Sequence, residues 1–193
     1  MNNAQEARQM LRAHRYGVLS TLSKKFDGYP FGSITPYLVD HDGSLLILIS
    51  TLAEHTKNIQ HDPRVSLITH DQRDPHIQTQ GRVTALGNAV SEPDRERVGP
   101  RYLRYFPQAQ AYFAMHDFSF YRIRPMAIRY IGGFGRIHWA EMENYAVQPY
   151  PVDRPGIRCD RAHEHRPSGH NAKLLPALPQ LLSAGCSHAG HRH

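Results

Sequence analysis

The apolar positions of this chain follow two rhythms, and together they predict a protein built mainly of short strands. Ala7, Met10, Leu11 and His14 recur at helical spacing, which predicts a helix over Ala4–His14. From Tyr16 the period falls to two or gives way to continuous apolar runs. YGVLSTL predicts a strand over Tyr16–Leu22, PFGSITPYLV another over Pro30–Val39, and LLILIS a third over Leu45–Ser50. Asp27-Gly28 and Asp42-Gly43 lie between them and have the composition of hairpin turns. A short helix over Ala53–Gln60, a strand over Arg64–Thr69 and a long strand over Ile77–Val90 follow, with Gly81 and Gly87 as expected bulge or bend points. Pro107 divides two helices, Glu92–Tyr105 and Gln108–Ala114, and Phe118–Arg124 and Ala127–Phe134 read as the last strands. Many short strands, tight turns and few helices predict a mainly β protein, a small barrel with peripheral helices. Closure also removes exposed strand edges.

Composition divides the chain in two. All aromatic residues (one Trp, 10 Tyr, 7 Phe) fall at or before Tyr150. The residues beyond it are rich in His, Pro, Gly and Arg, and their apolar patch, Leu174 to Leu182, is interrupted by Pro176 and Pro179. Such a segment cannot bury much surface. The expected domain is therefore 1–145, with 146–193 an extended or poorly ordered tail.

Charge and targeting exclude several classes. The formal net charge is +6, yet no block of five or more basic residues occurs, so nucleic acid is not an expected partner. Arg101, Arg104 and Arg122 alternate with aromatic residues and read as solvated arginines of amphipathic elements. No run approaches the ~20 apolar residues of a membrane span. The first residues, MNNAQEARQMLRAHR, lack a leader's apolar stretch, and Cys159 and Cys186 form no framework, so the cytoplasm is the expected compartment.

Chemistry concentrates after the third strand. That strand stops at Ser50 and Thr51, and the next helix opens with His55, Thr56, Lys57 and Asn58. A helix N-terminus offers free N–H groups and a positive dipole end, and Lys57 adds a full charge. The segment reads as a clamp for the phosphate of a cofactor. Near the end, Gly132-Gly133-Phe134-Gly135 permits close approach to a planar ring.

Four pieces of sequence, YGVLSTLS, GYPFGSITPYLVDHDG, LLILISTLAEHTKNIQHDPRVSLIT and FYRIRPMAIRYIGGFGRIHW, resemble the pyridoxamine-5′-phosphate-oxidase-like family of FMN-binding split barrels over about residues 5–140. AEHTKN…DPRVSL together with GGFGR is most similar to the branch associated with haem utilisation. The resemblance implies a six- to seven-stranded antiparallel Greek-key barrel and a homodimer with FMN in the clefts between subunits. It implies FMN contacts at Ser33, Ile34, Thr35, Ser50, Thr51, His55, Thr56, Lys57, Asn58, Tyr130 and Gly133. Arg136 and His138 correspond to the family's substrate-binding pair. His55 stands where the oxidases carry Lys, and Ser33 where they carry Arg.

No dinucleotide fingerprint, Walker sequence or serine-nucleophile motif is present. The tail histidines match no structural zinc spacing, so no metal site is assigned. The expectation is an FMN-dependent oxidoreductase acting on a small molecule. The flavin supplies the chemistry, and no catalytic residue is named. The alternative is a haem-binding or haem-degrading protein on the same fold.

Overall fold

Asn2 starts the first helix. Its side chain accepts from the Gln5 N–H, and the Gln5 side chain accepts in turn from the Asn2 N–H, a reciprocal cap on α1 (Asn3–Ala13). The computed structural model describes residues 2–71, 79–133 and 135–146. The expected tail, Phe134 and the start of the long strand lie outside the described residues.

After α1 come β1 (Tyr16–Leu22), β2 (Pro30–Pro36), β3 (Leu38–Val39), β4 (Leu45–Ser50), α2 (Glu54–His61), β5 (Arg64–His70) and β6 (Arg82–Glu92). Next are α3 (Arg95–Tyr105), a 3-10 turn at Pro107–Ala109, α4 (Gln110–Phe113), β7 (Phe118–Ile131), β8 (Ile137–Ala140) and α5 (Met142–Ala146). The strands pair antiparallel in the order β2-β1-β5-β6-β7-β4-β3, with β8 beside β7. Only Tyr37 separates β2 from β3, so the chain itself links the two ends of this path and the sheet curls into a half-barrel.

The structure differs from the sequence reading in three places. The expected second strand is broken at Tyr37, whose N–H bonds to Arg15 O (3.0 Å) and whose hydroxyl donates to Leu11 O (2.8 Å). The two expected last strands are one, because β7 runs through Pro125. Proline has no N–H to give a ladder. Here it sits opposite Gly87, where the β6–β7 register shifts at a bulge. An added Cβ on Gly87 would lie 2.2 Å from Arg124 O, so the bulge requires glycine. β8 and α5 follow where no element was expected.

β4 explains its own uninterrupted apolar run. Leu45, Ile47 and Ile49 face the barrel core with Leu19, Leu67, Val83 and Ile123, while α1 covers that core with Ala4, Ala7 and Leu11. Leu46 and Leu48 face the other way, onto Val98, Tyr102, Phe106 and Phe120 of α3 and β7. Each buried Leu or Ile contributes about 1.5–3 kcal/mol relative to exposure.

Arg122 is not a solvated arginine. It is 4% exposed and bonds to Glu92 (2.7 Å), Asp40 (2.8 Å) and the Ser44 hydroxyl. This cluster ties the β3–β4 turn to β6 and β7. Among the described residues no helix is long and apolar enough to cross a membrane.

Candidate functional site

The corner between β4 and α2 holds six of the expected contacts: Ser50, Thr51, His55, Thr56, Lys57 and Asn58. Most of their hydrogen-bonding capacity is directed inward. Ser50 donates to Asp117 (2.6 Å) and accepts from the Leu52 N–H (3.1 Å). Thr56 is fully buried and donates to Ser50 O (2.6 Å). Asn58 is fully buried as well; its amide donates to the Thr21 hydroxyl (3.0 Å) and accepts from the Lys24 N–H (3.0 Å). Thr56 fastens α2 to the end of β4, and Asn58 fastens it to β1 and to the β1–β2 turn. In this structure the Thr56 hydroxyl and the Asn58 amide are thus engaged by partners within the chain.

His55 and Lys57 remain at this corner, with exposed Thr51. Burial pushes the His55 imidazole pKa down, which favours the neutral ring, and its buried Nε2 has no hydrogen-bond partner among the described residues. Lys57 is exposed and lies 3.9 Å from Glu54 in the same first turn. The Glu54 and His55 N–H groups, in the first turn of α2, have no intrahelical carbonyl to bond. A phosphate here would meet one full cation and a neutral imidazole, with the Glu54 carboxylate beside them. The residues present therefore fit an FMN phosphate poorly.

Ser33, Ile34 and Thr35 lie on β2. Ser33 is half-buried and 3.5 Å from Leu19 O, and Ile34 is 73% exposed. The buried Thr35 hydroxyl has no partner among the described residues.

The other expected residues form a second group at the β7–β8 hairpin. Tyr130 is buried and donates to the Glu6 carboxylate (2.9 Å), which also accepts from Arg136 (2.6 Å). Glu6, at the start of α1, was not legible as a site residue, because nothing local links it to positions beyond 130. The Tyr130 hydrogen bond, opposed by burial and aided by Arg136, holds the Glu6 carboxyl below its usual range. His138 faces Tyr130 across the hairpin. Gly133 adopts φ +107°, a left-handed value that favours glycine, in the turn joining the strands. A cavity of about 260 Å³ adjoins this group, lined by Glu6, Gln9, Met10, His14, Asp71 and Tyr130.

One chain does not bring the two groups together. Ser50 pairs with Phe118 at the start of β7, and Tyr130 lies near that strand's far end. At ~3.3 Å per residue this is roughly 40 Å of strand contour. Between them spreads an outer sheet face. Directly opposed residues share a face. Ile34, Val18, Ile68, Thr84, Arg129 and Trp139 form one such row, and Ser66, Leu86 and Ala127 a second. Val18 is 42% exposed and Trp139 58%, with Arg129 5.1 Å from the Trp139 ring.

An antiparallel sheet curled into a half-barrel, with peripheral helices, defines a split-barrel protein. The chain belongs to the CREG β-barrel family, whose sequence pattern matches residues 1–147. It is 40% identical to the chloroplastic non-canonical heme oxygenase HOZ of Arabidopsis thaliana over 94% of this chain and 60% of that protein. A heme binding protein from Mycobacterium smegmatis superposes with a TM-score of 0.68 at 30% identity, over 76% of this chain and 60% of the other. The chain thus spans about 60% of the length of these two relatives. A putative pyridoxamine 5′-phosphate oxidase from Listeria innocua shares the fold, with a TM-score of 0.55 at 19% identity over 68% of this chain and all of that one. The expected split-barrel resemblance is therefore established, and haem proteins stand among its relatives.

Proposed function

We propose that this chain binds haem as its substrate, within a pair of identical subunits, and supports its oxidative degradation. The observation that carries this reading is the 40% identity to a heme oxygenase over 94% of the chain. The site's chemistry supports it. At the β4–α2 corner Ser50, Thr56 and Asn58 are engaged within the chain, which disfavours the flavin reading. The outer sheet face offers a porphyrin apolar and aromatic area beside the Arg129 guanidinium, which is able to meet a propionate. A second copy laid on that face would cover Val18, Ile34, Ile68 and Leu86. It would also carry one subunit's hairpin group towards its partner's α2 corner.

The experiment is a titration of the purified protein with haem. A Soret band that saturates at one haem per chain, and is lost on adding an electron donor in air, supports the reading. A yellow protein absorbing near 450 nm that gives no Soret shift with haem rejects it in favour of flavin. A second reading, FMN binding, retains one specific support, the exposed Lys57 at the first turn of α2.

A further inference from the structure

A cleft of about 330 Å³ lies where the end of α1, the β3 segment and α3 meet, and it shares His14 with the cavity beside the β7–β8 hairpin group. Its floor is apolar: Leu11, Tyr37, Leu38 and Val39 are 0 to 3% exposed. Its rim is cationic. The charged side chains that line it, among the described residues, are Arg12, Arg15 and Arg101, joined by the imidazoles of His14 and His41.

The arrangement is built rather than incidental. Arg101 donates to His41 Nε2 (2.5 Å) and to Val39 O (3.1 Å), which fixes its guanidinium at the rim. Its buried Nε has no hydrogen-bond partner, and the nearest carboxylate oxygen, on Asp40, is 3.7 Å away. Asp40 is itself committed to Arg122 at 2.8 Å. Arg15 lies 4.3 Å from the centre of the Tyr105 ring, which holds a second guanidinium over the opening. Burial, and then the charges of Arg8 and Arg101, depress the Arg12 pKa, as expected where like charges gather over an apolar floor.

We propose that this cleft binds a small organic anion, a carboxylate or phosphate monoester carried on a mono- or bicyclic apolar ring. The ring lies on the Leu38–Val39 floor, and the anion is held by Arg12, Arg15 and Arg101. Guanidinium forks match carboxylate and phosphate oxygens in pairs, and the low-dielectric floor strengthens each contact. The volume is at the lower end for ligand pockets, which suits one or two fused rings. An occupant would bridge α1 and α3 and so stabilise the fold.

The test is calorimetric titration of the full chain with 2-naphthoate, 1-naphthyl phosphate and uncharged 2-naphthalenemethanol. At least one anion should bind, and the neutral ring should bind at least about tenfold more weakly. Arg12→Gln and Arg15→Gln should each weaken the anion about tenfold. Arg104→Gln, on α3 but outside the cleft, should leave it within about twofold. A preference between the two anions identifies the headgroup. Equal binding of the neutral ring, equal loss in Arg104→Gln, or no binding of either anion at millimolar concentration overturns the proposal. Should Arg12→Gln fail to fold, exposed Arg15 still decides it, and bound anion must raise the wild-type Tm.

Discussion

Arg122→Met removes the cation at the centre of a buried carboxylate cluster, and its cost can be worked from the geometry. The Arg122 side chain is 5% exposed, and those of Asp40 and Glu92 are 10% exposed each. Removing one partner of a buried ion pair costs about 3–5 kcal/mol, because a desolvated charge is left behind. Glu92 keeps Arg97 at 3.1 Å and Asp40 keeps Arg101 at 3.7 Å, which favours the lower end, about 3 kcal/mol. For a domain of this size that lowers Tm by roughly 6–12 °C. The pH dependence gives a sharper signature. Burial raises both carboxyl pKa values, but the His41 N–H and Arg122 outweigh it at Asp40, and Arg122 and the Asp94 N–H outweigh it at Glu92. Both folded values lie below the ordinary ones, so this stabilisation is present above the ordinary carboxylate range and lost as pH falls through the folded values. In the variant, burial acts without Arg122 and raises both pKa values. The carboxyls then take up protons while folded, and the variant recovers relative to wild type on acidification. Circular-dichroism melts from pH 7 to pH 4 should show the gap widest at pH 7. Adding Asp40→Asn and Glu92→Gln to the variant should restore part of the loss. A Tm within about 2 °C of wild type at pH 7, or a gap that grows towards pH 4, refutes the reasoning.

Gly87→Ala should cost more than about 2 kcal/mol, since its Cβ would sit 2.2 Å from the Arg124 carbonyl in rigid backbone; a denaturant midpoint equal to wild type rejects the bulge argument. Asn58→Ala leaves the Lys24 N–H without its acceptor and the buried Thr21 hydroxyl with only Phe31 O, and a loss of about 1–3 kcal/mol should appear in the same assay. If Asn58→Ala is neutral in stability yet abolishes ligand binding, its assigned structural role is wrong. Tyr130→Phe removes the hydrogen bond that most lowers the Glu6 pKa, so a carboxyl carbon titration by NMR should move upward; an unchanged midpoint removes that contact.

Local rules made most of the fold legible. β1 and β4 have the expected bounds, because each is an apolar segment that ends in a polar turn. What the sequence left open depends on long-range partners. Pro125 looks like a strand end until Gly87 is placed opposite it, and that pairing spans the whole of α3 and α4. Tyr37 looks like the middle of a strand until Arg15 O and Leu11 O take its N–H and hydroxyl. Arg122 looks like one solvated arginine among others until Asp40 and Glu92 reach it from two other strands and turns.

The candidate site was legible as residue types and less so as available atoms, for the same reason. Hydroxyls, an amide, an imidazole and an ammonium at the head of α2 are what an anion site requires, and spacing alone puts them in one turn. Their free lone pairs and protons are settled by partners up to 67 residues away, as with Ser50 and Asp117. The outer face shows the converse case, in which the sequence held more than the strand assignment used. A barrel needs only one apolar face per strand, yet Val18, Ile68 and Leu86 occupy the alternate positions that solvent would permit to be polar. Apolar residues that the core does not require are the part of the pattern that speaks for a second surface. On this chain they lie between the two groups that the proposed function would unite.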